Sequence, residues 1–111
     1  MPHFPKVGCI VKDIAATGTQ SAFGPVQTGE KGFQACVSGT GAVTATVLVE
    51  ASTEASGGVM GWFTLGTITL SGTTTTNDAF ATNSNWPYLR GNITAISGTG
   101  ARVTLNVAEE R

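Results

Sequence analysis

The sequence predicts an all-β protein, an antiparallel β-sandwich or jelly roll preceded by an extended N-terminal arm. Three observations carry that expectation. Apolar and polar residues alternate with period two through several segments, the spacing that puts one face of a strand against a core. Helical periodicity is almost absent, while Val and Thr recur throughout, and β-branched side chains suit a pleated surface. Glycine is frequent, 15 residues in 111, and falls between the alternating segments, where it permits the positive φ angles of tight turns.

Taken in chain order, residues 1–25 hold Pro2, Pro5, Gly18, Gly24 and Pro25. That composition predicts an arm with at most one strand, over Val7 to Ile14. Residues 26–111 then form a single sandwich domain, in keeping with a length that suits one core. Gly32 to Ser38 is a short strand with Phe33, Ala35 and Val37 inward. Ala42 to Ala51 is the clearest: Val43, Ala45, Val47 and Val49 alternate with Thr44, Thr46, Leu48 and Glu50. Glu54 to Met60 reads as a loop. Gly61 to Leu70 is a strand whose phase slips, because Phe63 and Leu65 share one parity and Ile68 and Leu70 the other. Gly66 sits at the slip and predicts a β-bulge or bend. Ser71 to Asn77 reads as a long polar loop, followed by a strand segment over Asp78 to Thr82. Tyr88 to Ile96 puts Leu89, Ile93 and Ala95 inward. Ala101 to Ala108 puts Val103, Leu105 and Val107 inward and Arg102, Thr104 and Asn106 outward.

An internal echo organises these segments. Ser38-Gly39-Thr40-Gly41-Ala42 recurs as Ser97-Gly98-Thr99-Gly100-Ala101. Each copy lies between two strands, so each is expected to close a hairpin, 32–38 with 42–51 and 88–96 with 101–108. A phosphate-cradling loop would lead into a helix N-terminus, and strands follow here.

Charge narrows the function classes. Charged residues are 12% of the chain with a net charge of −1, against roughly 25% charged in an ordinary soluble domain. The basic residues are scattered from Lys6 to Arg111, which argues against a nucleic-acid partner. No apolar run reaches the roughly 18 residues of a membrane helix, and the N-terminus lacks a signal-peptide layout, so synthesis in a cytoplasm is expected. Cys9 and Cys36 form no zinc motif, and with no export signal two reduced, partly buried thiols are favoured. From Ala55 to Leu89 the single charge is Asp78. Natural sheets guard open edges with charge or proline, and weak guarding is tolerable where partner subunits cover the edge.

A catalytic reading fails on inventory. The single histidine is His3, so a Ser-His or Cys-His nucleophile has no evident base. Glu50 and Glu54 bracket a strand end and would form a glycosidase pair only by luck. Neither a metal nor another cofactor is expected. Of the large aromatics, Trp62 and Phe63 are adjacent and point to opposite faces, with Trp62 the outward one. Trp86, ahead of Pro87, is expected to plug one end of the sandwich. Grouping of Trp62, Trp86 and Tyr88 on one open face would instead favour stacking on sugar rings. Asn92-Ile93-Thr94 matches a glycosylation sequon but carries no weight without a secretory signal.

Three segments add a family resemblance: GTGAVTATVLVEAS at Gly39–Ser52, WFTLGTITLSG at Trp62–Gly72 and WPYLRGNITAISGTGARVTLNVA at Trp86–Ala108. In this order, across Phe33 to Ala108, they resemble small structural proteins of tailed-bacteriophage virions, of the capsid decoration or cement type. The resemblance implies a protein made in the bacterial host and carried on the capsid exterior, with the major capsid protein and copies of itself, as dimers or trimers, for partners. It implies neither enzyme activity nor a membrane. The contact residues it suggests are Phe4, Val7 and Ile10 on the arm and the outward apolar side chains Leu48 and Trp62. A head-fibre, neck or tail component, or a carbohydrate-binding module, is the alternative.

Overall fold

The computed structural model describes residues 6–26, 29–55 and 58–109. Among them every regular element is a strand: β1 (Lys6–Ile14), β2 (Gly18–Thr19), β3 (Gly29–Ser52), β4 (Phe63–Ser84) and β5 (Tyr88–Glu109). All pair antiparallel into one sheet of order β1-β5-β3-β4, with β2 also on β5. The expected all-β antiparallel class is what the chain adopts.

Three strands are far longer than the sequence segments suggested. A 24-residue strand such as β3 would extend about 80 Å at the usual rise per residue, yet the longest dimension of the molecule is 41 Å. The strands therefore fold back. Register breaks at one level in all three: Ser38 faces Thr75 and Ala42 faces Thr73, while Ser38 faces Arg102, Thr40 faces Thr99 and Thr44 faces Ser97. Positive φ angles mark the same line, at Gly41 (73°), Gly98 (122°), Gly100 (65°) and Thr74 (62°). The last is an uncommon conformation for a β-branched residue. We call this line the crease. A lower half holds β1 with residues 29–38, 75–84 and 101–109; an upper half holds β2 with residues 42–52, 63–73 and 88–97.

Close contacts show the two halves lying face to face. A Cβ on Gly66 would fall 2.5 Å from Cζ of Phe80, in the other half of the same strand. A Cβ on Gly91 would run into Val11 and crowd Leu105, which lies in the other half of β5. Between the halves sit Phe33, Ala35, Val37, Val43, Ala45, Val47, Val49, Ala51, Val103 and Leu105, all buried, with Phe33 and Phe80 stacked at 5.2 Å between ring centroids. Each larger apolar side chain hidden in this way contributes about 1.5–3 kcal/mol.

The crease corrects the hairpin expectation. The two glycine echoes do not reverse the chain; each bends one strand, and they lie side by side with Thr40 opposite Thr99. Positive-φ glycines serve a bend out of the sheet as well as they serve a reversal. Ser71 to Asn77 is likewise strand, not loop, and carries β4 across the same line. The bulge expected near Gly66 is present, because Val49 faces Gly66 while Glu50 already faces Thr64. Ala95 is exposed rather than inward, since a register shift between Thr46 and Val47 changes the phase after Ile93.

The N-terminal segment contributes two strands and one isolated bridge, all on β5. Lys6 faces Glu109 and Ile14 faces Val103; Gly18 and Thr19 then face Ile93 and Asn92, and Phe23 bridges to Leu89. The chain thus follows the edge of β5 through both halves, skipping its bend. Apolar burial holds it there, through Val11 and through the Phe23 ring against Gly8.

At one end of the core Lys31 faces Glu109 in register, 1% and 6% exposed. Desolvation lowers the Lys31 pKa from its ordinary 10.5, and the Glu109 carboxylate opposes that shift.

Candidate assembly surface

Strand parity sorts the outward side chains into two faces and two edges. On the upper outer face, Thr44, Thr46, Leu48 and Glu50 of β3 alternate with the core residues. Glu50 is 8% exposed. Its carboxylate accepts a hydrogen bond from Arg90 Nε at 2.6 Å and from Asn92 Nδ2 at 3.1 Å. The Arg90 guanidinium lies 4.6 Å from the centroid of the Trp62 ring, a cation–π stack. Phe63 packs edge-on against Trp86, 4.7 Å between centroids and 74° between planes. These side chains lie at the end of the upper half away from the crease. Nearer the crease the face is hydroxyl-rich, and Thr44 and Ser97 share a hydrogen bond of 2.6 Å across β3 and β5.

On the lower outer face lies a shallow depression of about 600 Å³. One row across four strands supplies Val7, Ala108, Gly32 and Ala81; the next supplies Asn106, Gln34 and Ala79. Small side chains keep its floor low. Gln34 Nε2 donates to Asn77 Oδ1 at 3.2 Å at its margin.

The edges differ in chemistry. Among the described residues β4 pairs only with β3, which leaves its other side open from Phe63 to Ser84. The single charge there, Asp78, faces core residue Ala35 in register yet is exposed at the edge, and its Oδ1 accepts from the Ala79 amide at 2.8 Å.

Of the five residues expected to make assembly contacts, the four that are described, Val7, Ile10, Leu48 and Trp62, do not form one patch. Phe4 lies outside the described residues. Val7 is 64% exposed and borders the depression. Ile10 is a correction: it is 9% exposed and part of the core, because the register shift between Cys9 and Val11 turns both Ile10 and Val11 inward. Leu48 is half-buried on the upper outer face, between Thr67 and Asn92. Trp62 is half-buried beneath Arg90 rather than an open ring. Phe63, its neighbour, lies opposite Ala51 but at the strand start, and is 41% exposed. Trp86, packed edge-on against Phe63, is 36% exposed. Cys9 and Cys36 are both free thiols, Cys9 exposed. Among the described residues no group of acidic, Cys or His side chains is placed to hold a metal ion, and no helix is long and apolar enough to cross a membrane.

Sequence reasoning missed the Glu50–Arg90–Asn92–Trp62 group. All three polar members have the outward parity of their strands, but only the register of β3 against β5 brings them together. Compared with known proteins, the sequence matches no family model and no curated protein.

Proposed function

We propose that this chain is a structural component of a tailed-phage virion that coats and stabilises the outer capsid lattice, as a decoration or cement protein. The observation that carries the reading is the open side of β4, an edge strand of 22 residues with one charge. Such an edge is a template for strand pairing, and a monomer benefits from guarding it better than this. The hydroxyl-rich upper face supports the same reading, since it can form many hydrogen bonds to a neighbour at modest desolvation cost. In this reading the doubled sheet is the two-layered β-sandwich body, and the N-terminal arm expected over residues 1–25 anchors it. Lattice copy number supplies avidity, so each contact can be individually weak. The aromatics do not favour a sugar platform: Arg90 covers Trp62, and Phe63 and Trp86 meet edge-on rather than coplanar.

Co-sedimentation with capsids that lack the protein tests the reading. Saturable binding at a copy number on the scale of the capsomers is expected. Purified, folded protein that stays in the supernatant at every concentration would overturn it.

A further inference from the structure

We propose that Gly66 to Gly72, on the open side of β4, pairs antiparallel with the same segment of a second copy of this chain, about a two-fold axis through Thr69. The proposal names the occupant of the open β4 edge in the reading above and rests on that reading, but it needs no capsid.

The backbone offers one straight stretch for this. The β4 ladder on β3 is regular from Gly66 opposite Val49 to Thr73 opposite Ala42, between the bulge at Leu65 and the crease. Both boundaries bend the strand and end any flat pairing. Below the crease, Asp78 sits on the core-facing side of the edge, where pairing would desolvate its carboxylate. An inward charge of this kind blocks edge-to-edge contact. The upper stretch carries no charge at all.

The side chains identify the occupant. Gly66-Thr67-Ile68-Thr69-Leu70-Ser71-Gly72 is a chemical palindrome. Antiparallel strands related by a two-fold through Thr69 set Gly66 against Gly72, Thr67 against Ser71, Ile68 against Leu70, and Thr69 against itself. Directly opposed residues share a face. Hydroxyls therefore meet hydroxyls on the outer face, as Thr44 and Ser97 already do within the molecule. Ile68 and Leu70, each 2% exposed, meet each other on the inner face and join the two cores. A two-fold contact requires a surface that complements itself. An unrelated partner strand would require no such symmetry in this one.

Sedimentation velocity on the intact protein, over about a thousandfold range of concentration, tests it with three proteins. The wild type should form a dimer reversibly. T67K/S71K sets lysine against lysine twice across the axis and should weaken the dimer at least about tenfold. T67K/S71E sets lysine against glutamate and should restore it. Positions 67 and 71 are exposed, and an unchanged circular dichroism spectrum confirms that each variant folds. A wild type that stays monomeric, or variants that associate equally, or a charge-matched variant no tighter than the lysine pair, would overturn the proposal. Because no capsid is present, failure here leaves head binding to its own experiment.

Discussion

The two edges of the sheet are built on opposite principles. The β1 edge carries Lys12 and the positive-φ Asp13, shifts register twice along β5, and breaks off before β2 resumes. Each of these features spoils it as a template for another strand. The upper β4 edge has none of them between its bulge and the crease, only a short regular ladder of Gly, Thr, Ile, Leu and Ser. A chain that lacked means to protect edges would leave both bare. This one protects one edge throughout and the other below the crease, which leaves bare only the stretch proposed above to pair with a second copy.

Substitutions can break or sharpen that contrast. The largest effect is expected on the β4 side, from Gly66→Val. The added branches enter the Phe80 ring, and overpacking of this kind should cost about 3 kcal/mol, read by urea denaturation. On the β1 side, Val11→Ala removes buried volume beneath the guarded edge and should cost about 2 kcal/mol. It should also loosen β1 from β5, seen as faster amide exchange over residues 6–14; unchanged exchange there would show that the edge holds without its core contact. On the upper face, Glu50→Ala leaves Arg90 and Asn92 without their carboxylate and should cost about 1 kcal/mol, less in high salt.

A gentler effect should follow from pH where β3 meets β5. Lys31 titrates below its ordinary value when folded, so the unfolded chain holds that proton more tightly. Stability should therefore rise as pH climbs from the folded value towards about 10.5 and stay flat, as far as this group is concerned, below that window. Lys31→Met should abolish the rise, measured by denaturation across alkaline pH. The smallest change belongs to Val7→Ser, exposed on β1 and expected within about 0.5 kcal/mol of wild type. A capsid-binding defect in that stable variant would place a contact at the depression.

What could be read in the sequence was whatever depends on neighbours a few residues away. Alternation over 42–51 and 101–108 identified the core face correctly. The parity slip at Gly66 located a bulge that the β3 register then displayed. Whatever depends on a partner strand was hidden. A glycine pair that bends a strand looks the same locally as one that reverses it, so the two echoes by themselves predict hairpins. Ile10 and Ala95 keep the right alternation in sequence but fall beside register shifts, which turn one inward and leave the other outside. Nothing near Glu50 in the chain announces Arg90, which lies on the other side of two loops and a long strand.

The pairing of Lys6 with Glu109 also sets a timetable for synthesis. β1 leaves the ribosome before β3, β4 and β5, yet the strand it sits on is the last of them to be made. β3 and β4 can meet first, joined by a short connection, but that nascent pair has two open sides. Only when β5 emerges does it fill one of them and offer β1 its seat. Pairing at such sequence separation is slow, and the guarded side of the finished sheet is the last to gain its guard.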